Sequence, residues 1–147
     1  MLNKRPKTRV LLAITGAIAS GIVSAASVQL NPTNPGLSIG GNTAATITFT
    51  GDAFVTNVTG RLNYDTSLFD VTVNAGGTAT CTDFSATGRV TFATGSLTGL
   101  PIASQTFCNL TFTHVGPGAV SSPYTFSNMV FASTGSADTS PGGNLVV

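Results

Sequence analysis

The sequence predicts an all-β domain, a two-sheet antiparallel β-sandwich, and three observations support that class. Apolar residues alternate with threonine or other polar residues along short segments, which is the period-2 pattern of a half-buried strand. Clusters of Gly, Pro, Asn and Asp separate these segments and supply turns. Beyond the N-terminal segment, no stretch has a helical 3.6-residue repeat of useful length. Together these features favour two packed antiparallel sheets.

The clearest strand runs over Val58–Tyr64, and the rest of the domain can be placed around it. Its apolar residues share one face, whereas Arg61 and its polar neighbours share the other. Asp65 begins a turn, because a short carboxylate can accept hydrogen bonds from backbone N–H groups two residues on. Leu68-Phe69 then returns the chain to the core, ahead of a further strand.

The other strands follow the same alternation, and the nine phenylalanines lie mostly within them. Ten segments with this pattern predict about nine short strands. In chain order they are Ser27–Leu30, Ala45–Thr50, Val58–Tyr64, Val71–Val73, Ala79–Phe84, Gly88–Ala93, Phe107–Thr113, Tyr124–Phe126, Met129–Phe131 and Asn144–Val147.

The first 26 residues have the pattern of a secretory signal peptide, which we expect to be helical. A basic start precedes the apolar run Val10–Ala19, and small residues up to Ala25 and Ala26 offer two cleavage points. An uncleaved membrane anchor is the alternative, but the run is shorter than the ~20 apolar residues that a span needs. The sequence therefore predicts residues 1–26 as a signal peptide and 27–147 as a secreted domain that is not membrane-bound after cleavage.

The charge of the domain differs in sign from that of the whole chain. Four of the six basic residues precede residue 10, so the remainder holds two arginines against five aspartates, a net charge of −3, with no Lys or Glu. A nucleic-acid partner requires a patch of phosphate-neutralising Lys or Arg. The sequence therefore argues against nucleic-acid binding.

The two cysteines, Cys81 and Cys108, are an even number in a chain predicted to reach an oxidising compartment. A disulfide is the default expectation there, and two free buried thiols are the alternative. Closing the loop between them would stabilise the fold by roughly 3.5 kcal/mol on the chain-entropy model.

Four stretches resemble the cohesin-like domains, which are jelly-roll β-sandwiches within the carbohydrate-binding-type group. They are Gly60–Val71, Gly88–Ala93, Phe107–Phe112 and Ser127–Phe131, with Thr66 where the family usually has Pro. The resemblance spans roughly residues 27–147. It implies a non-enzymatic module that binds the Ca²⁺-dependent dockerin modules of other secreted proteins, notably polysaccharide-degrading enzymes. The family's contact residues follow no motif present here, so the binding residues stay unassigned.

The sequence offers little for catalysis and predicts no enzyme and no cofactor. A Ser–His nucleophile would have to use His114, the single histidine, which we expect at the surface at a strand end. Glycoside hydrolysis needs two convergent carboxylates, and capping of one turn accounts for Asp65 and Asp70. The loop Asp138–Asn144 holds oxygen ligands suited to calcium but lacks the charge density of a calcium site, so we expect a plain turn.

The outward positions of the predicted strands are mostly threonine and nearly free of charge. A partner chain covering one such face or edge would explain this composition, as would the high β-propensity of threonine alone. The threonines are Thr46, Thr48, Thr59, Thr72, Thr91, Thr111, Thr113 and Thr125.

The sequence is compatible with three functions. The first is docking of a dockerin-like or other extracellular protein. The second is self-assembly by donation of the strand Val28–Leu30 to a neighbouring copy. The third is carbohydrate binding, which the sequence disfavours because there is no Trp and both Tyr64 and Tyr124 alternate in phase with core residues.

Overall fold

The computed structural model describes residues 26–33, 37–51, 55–95, 104–118, 121–132 and 142–146. The predicted signal peptide lies outside these ranges apart from Ala26. Within them the chain forms nine strands and a single 3₁₀ turn at Ser85–Thr87. The strands are β1 (Ser27–Pro32), β2 (Asn42–Thr50), β3 (Asn57–Asn63), β4 (Phe69–Asn74), β5 (Thr80–Phe84), β6 (Arg89–Ala93), β7 (Gln105–His114), β8 (Ser121–Ala132) and β9 (Gly143–Val146).

The strands form two antiparallel sheets, which confirms the predicted β-sandwich. One sheet has four strands in the order β1-β2-β7-β4, and the other has five in the order β5-β6-β3-β8-β9. Non-consecutive strands are neighbours in both sheets, so each sheet is assembled from distant parts of the chain. No helix in the described ranges is long and apolar enough to span a bilayer.

The core is a layer of aromatic and aliphatic side chains between the sheets. Phe49 and Phe107 stack with ring centroids 5.0 Å apart. The ring of Phe112 meets both Tyr64 and Phe69 edge-on, at 5.9 and 5.7 Å. All five rings are buried, as the alternation predicts for Tyr64. Such aromatic pairs add to the free energy gained from removing their apolar surface from water.

The turn after β3 has the predicted chemistry. The Asp65 carboxylate accepts hydrogen bonds from the Ser67 backbone N–H at 2.8 Å and from the Ser67 hydroxyl at 2.6 Å. The Phe69 N–H donates to the Asp65 carbonyl at 2.9 Å, which returns the chain to the core at the start of β4. This side-chain hydrogen bonding holds the pKa of Asp65 below its usual value.

One prediction is wrong in the C-terminal half, where a single strand, β8, replaces two predicted ones. The register of β8 against β3 shifts between Thr59 and Arg61, so that Asn128 and Met129 together oppose Gly60. Asn128 has a φ of 51°, a conformation that asparagine tolerates better than most residues. This β-bulge shifts the alternation of inward and outward side chains after Phe126. The sequence of the single strand β8 therefore resembles that of two shorter strands.

Gly60 lies on the buried face of β3, where its lack of a side chain leaves room for Met129 of β8 and Phe92 of β6. A Cβ atom built there would overlap the Met129 sulfur and lie 2.8 Å from the Phe92 ring. The space that a side chain would occupy is therefore already filled from β8 and β6.

A disulfide joins the two sheets. Cys81 on β5 is bonded to Cys108 on β7, with the Cα atoms 6.0 Å apart. Cys108 is fully buried, and Cys81 is half-buried at the sandwich edge formed by β4 and β5. The bond therefore closes one side of the sandwich.

We expect Gly60→Ala to destabilise the domain by roughly 1–3 kcal/mol, because the added methyl group overpacks the space shared by Met129 and Phe92. Urea unfolding followed by fluorescence or circular dichroism measures this loss. Gly118→Ala is the matched control, since a Cβ there meets no atom within 4 Å. Equal unfolding midpoints for the two variants would contradict the packing argument.

Replacement of Cys81 and Cys108 by Ser should lower the free energy of unfolding by roughly 3.5 kcal/mol, because the denatured chain gains the freedom that the cross-link removes. Urea unfolding of the variant and of the wild-type chain, with and without reductant, gives this difference. Reductant should destabilise the wild-type chain and leave the variant unchanged. Two titratable thiols in the untreated native protein would show that the bond does not form.

Candidate functional site

His114 does not build a catalytic site. Its side chain is buried, with 2% of its surface exposed, so the expectation of a surface histidine is wrong. The reason is that β7 continues one residue beyond the predicted end, which places His114 on the inner face with Leu110 and Phe112. The ring packs near Phe69, and neither of its nitrogen atoms has a hydrogen-bond partner.

The described aspartates differ in their surroundings: Asp65 lies in the turn after β3, whereas the charges of Asp70 and Asp83 both act on Tyr64. Asp65 caps its turn, as predicted. Asp70 instead lies within β4, exposed and opposite Thr113, so the capping explanation fails for it. Asp83 accepts a hydrogen bond from the Tyr64 hydroxyl at 3.0 Å. Burial, and then this bond and the charge of Asp83, raise the pKa of Tyr64.

The described residues contain no group of three or more His, Cys, Asp or Glu side chains that could hold a metal ion. Most of the loop Asp138–Asn144 lies outside the described residues, so its status stays a prediction. A cavity of about 300 Å³ lies beside the disulfide, between Asn74 and Cys108, and no charged side chain lines it.

The outer face of the four-stranded sheet consists mainly of hydroxyl and amide side chains, some of which form hydrogen bonds with one another. Asn31 donates to the Thr48 hydroxyl at 2.6 Å, and Asn74 donates to the Thr111 hydroxyl at 2.9 Å. The side chains that alternate onto this face include Gln29, Asn31, Thr46, Thr48, Asp70, Thr72, Asn74, Asn109, Thr111 and Thr113.

The outer face of the five-stranded sheet has a different composition, and we call it the arginine face. It carries Arg61 and Arg89, the two arginines beyond the N-terminal segment, together with the exposed side chains of Phe84 and Val130. Its outward side chains form three rows across the sheet, each with one residue from β5, β6, β3 and β8 in that order. The first row is Phe84, Arg89, Asn63 and Thr125. The second is Thr82, Thr91, Arg61 and Ser127, and the third is Thr80, Ala93, Thr59 and Val130.

The two arginines are held differently. The Arg89 guanidinium lies 5.0 Å from the centre of the Phe84 ring, a cation–π arrangement, and its buried Nε has no hydrogen-bond partner. Arg61 lies opposite Thr91 and is therefore a diagonal neighbour of Arg89. In the described part of the chain, neither side chain forms an ion pair, and the Arg61 side chain makes no hydrogen bond.

A cavity of about 270 Å³ opens on the arginine face beside Arg61. It lies between β6, β3 and β8, at the position of the bulge. Its lining residues are Thr59, Gly60, Arg61, Thr91, Phe92 and Asn128. Among the polar side chains, Arg61 can only donate hydrogen bonds, whereas the threonine hydroxyls and the Asn128 amide can donate and accept them. The guanidinium therefore makes the cavity suited to an anionic or carbonyl oxygen.

The sequence predicts threonine-lined faces but does not indicate the arginine face. Thr59, Arg61 and Thr91 were correctly placed on the outward side of their strands. What the sequence did not indicate is that β3 pairs with β6, which brings the two arginines together. The one available sign was that both arginines occur at outward positions of predicted strands.

Comparison with known proteins identifies the architecture as that of the cohesin modules, which confirms the predicted cohesin-like fold. No protein-family model matches the sequence, and neither does any curated protein. The solved structures that match include cohesins, at sequence identities of 9 to 16% that show a shared fold.

Three of these structures illustrate the likeness. A type I cohesin in a cohesin–dockerin complex from Clostridium thermocellum is 13% identical with a TM-score of 0.66, covering 84% of this chain and 99% of that one. A type II cohesin from the cellulosome of Acetivibrio cellulolyticus is 11% identical with a TM-score of 0.65, covering 84% and 95%. The seventh ScaB type I cohesin of Pseudobacteroides cellulosolvens is 16% identical with a TM-score of 0.60, covering 83% and 91%.

We expect stability to fall in alkali partly through Tyr64. Its pKa is raised in the folded state, so its contribution is complete below the ordinary tyrosine pKa of about 10 and is lost as the pH rises toward the folded value. Urea midpoints measured at about pH 9 and pH 11 should therefore fall less in Tyr64→Phe than in the wild-type chain. Tyr124→Phe is the comparison for burial alone, because burial is the cause that raises the pKa of Tyr124. The same fall in Tyr64→Phe and the wild-type chain would contradict the assignment.

Proposed function

We propose that this chain is a secreted, non-catalytic docking module whose arginine face binds a dockerin-like domain of another extracellular protein. The fold supports this proposal, because the similar structures include cohesins in complex with dockerins. We extend the proposal to partners that carry polysaccharide-degrading enzymes, as the resemblance to cohesins implies.

The composition of the arginine face is the observation that carries the proposal. Phe84 is 43% exposed and Val130 is 58% exposed, and they lie at opposite sides of a face whose centre is Arg61. Aromatic residues and arginine are enriched at protein interfaces, whereas lysine and glutamate are depleted. Among the described outward positions of the four-stranded sheet there is neither an arginine nor a large apolar side chain, so the arginine face is the better docking surface.

The arrangement of the titratable groups supports a binding role over an enzymatic one. His114 is buried in the core, Asp65 caps a turn, and Asp83 accepts a hydrogen bond from Tyr64. General acid–base or nucleophilic chemistry needs such groups within hydrogen-bond reach of one another or of one substrate. In the described part of the chain, neither ring nitrogen of His114 has a hydrogen-bond partner.

Export is part of the proposal. The basic and apolar pattern of residues 1–26 supports it, and so does the disulfide between Cys81 and Cys108, since such bonds persist in oxidising compartments. We therefore place the folded domain outside the cell.

Two other functions would give different experimental results. Self-assembly by donation of Val28–Leu30 would first have to release β1, in which both side chains are buried and paired with Phe49 and Ile47 of β2. Carbohydrate stacking would need an exposed aromatic platform, but Tyr64 and Tyr124 both face the core and the exposed Phe84 ring is already stacked against Arg89. Neither alternative accounts for the arginine face.

The test is binding of purified dockerin modules to the exported chain, with calcium and with chelator, followed by hydrogen exchange of the complex. We expect at least one dockerin to bind in calcium only, with protection of β3, β6 and β8. Val130→Asp should weaken binding at least about tenfold, because it places a charge in a desolvated contact. Thr72→Asp is the matched control on the four-stranded sheet and should leave binding unchanged.

Three outcomes would contradict the proposal. They are failure of every dockerin in the panel to bind, protection confined to the four-stranded sheet, and an equal effect of the two variants. Oligomers that grow with concentration, seen by light scattering and electron microscopy in the absence of dockerin, would favour self-assembly. Retention on cellulose or chitin would favour carbohydrate binding.

A further inference from the structure

The charges of the described residues are segregated between the surfaces of the domain. The arginine face carries two positive side chains and, among the described residues, no negative one. The described aspartates lie elsewhere: Asp65 in the turn, Asp70 on the four-stranded sheet, and Asp83 turned inward to Tyr64. A domain with a net charge of −3 therefore presents one cationic face.

Arg61 is the group on this face that is ready to bind an anion. It lies in the middle row, between Thr91 and Ser127, and its side chain has no ion pair or hydrogen bond within the described residues. Arg89 differs, since its guanidinium is already stacked on Phe84. An unpaired arginine at the centre of a face leaves its five N–H donors available to a partner.

The cavity beside Arg61 gives an anion a place to bind. Thr59, Thr91 and Asn128 line it. The Thr91 hydroxyl already donates to the Thr82 carbonyl, so the Thr59 hydroxyl and the Asn128 amide are the further donors available to a group bound to the guanidinium. The planar guanidinium fork matches the two oxygens of a carboxylate. The second guanidinium, Arg89, adds a favourable field from the diagonal position.

We infer that the partner docks through an acidic segment, and that an aspartate or glutamate side chain binds Arg61 in this cavity. This inference rests on the proposed docking function and specifies the partner's chemistry. Charge complementarity selects this occupant, because two cations suit a short acidic segment, whereas a nucleic-acid backbone requires many more. The apolar side chains of Phe84 and Val130 flank the site and would contact apolar residues beside the acidic one.

A peptide titration tests the chemistry without knowledge of the natural partner. The probes are octaglutamate, octaglutamine and octalysine, added to the ¹⁵N-labelled chain at low salt. Octaglutamate should shift the amide resonances around Arg61, Thr59 and Thr91, and the shifts should diminish in high salt. Octaglutamine and octalysine should leave them unchanged. Shifts located elsewhere, or equal shifts with octaglutamine, would overturn the inference.

Variants of Arg61 separate charge from hydrogen-bond geometry. Arg61→Gln should weaken octaglutamate binding at least about tenfold, and Arg61→Lys should weaken it less, because the charge is kept while the bidentate fork is lost. Thr113→Gln, on the four-stranded sheet, is the control. The dispersion of the amide spectrum shows that each variant is folded. Unchanged binding in Arg61→Gln would refute the site.

A charge exchange distinguishes failure of this inference from failure of the proposed function. With any dockerin that binds the arginine face, Arg61→Glu should weaken binding at least about tenfold, and a Glu→Lys change in the dockerin should restore it. A dockerin that binds this face with equal affinity for the wild-type chain and Arg61→Glu would refute the acidic contact and leave docking intact. Octaglutamate binding at Arg61 without binding of any dockerin would support the carboxylate site and refute dockerin docking.

Discussion

The layer of rings supplied by β7 is the interaction on which the rest of the structure depends. Phe107 and Phe112 occupy the middle of the sandwich, where they contact Phe49 and Phe69 of their own sheet and Phe92 and Tyr64 of the opposite side. β7 is also the strand that pairs with both β2 and β4 and that carries Cys108. Because aromatic packing and the covalent bond originate on this one strand, the two sheets are fixed relative to each other. Since the core and the disulfide hold the sheets together, the side chains on the two outer faces are not needed for that contact.

The sequence was sufficient for those features of the fold that depend on local alternation. A strand with one buried face repeats every two residues, so β2, β3, β6 and β7 could be predicted from their apolar and hydroxyl residues. The turn at Asp65 was equally local. Features that depend on pairing could not be predicted, and the bulge at Asn128 is the clearest example. Its extra residue is defined only by the opposing Gly60, which belongs to a strand far away in the sequence.

The candidate site was accessible from the sequence only in part. Outward threonines could be assigned strand by strand, whereas the arginine face needs the register of β3 against β6 and β8. His114 was misjudged for a related reason, since one additional residue of β7 moves its side chain from solvent to the core. Function on a sheet surface arises from residues brought together across strands, and such groupings leave no motif in a single segment.

The bulge also has a consequence for how such a surface can diversify. It is where the cavity beside Arg61 lies, and it involves one supernumerary residue at the solvent side of β8. Loss of that residue would restore uninterrupted pairing between β3 and β8 and would change the shape of the cavity. The aromatic rings of β7 would stay in position. The shape of this surface can thus change through one residue of β8 while the core layer stays as it is.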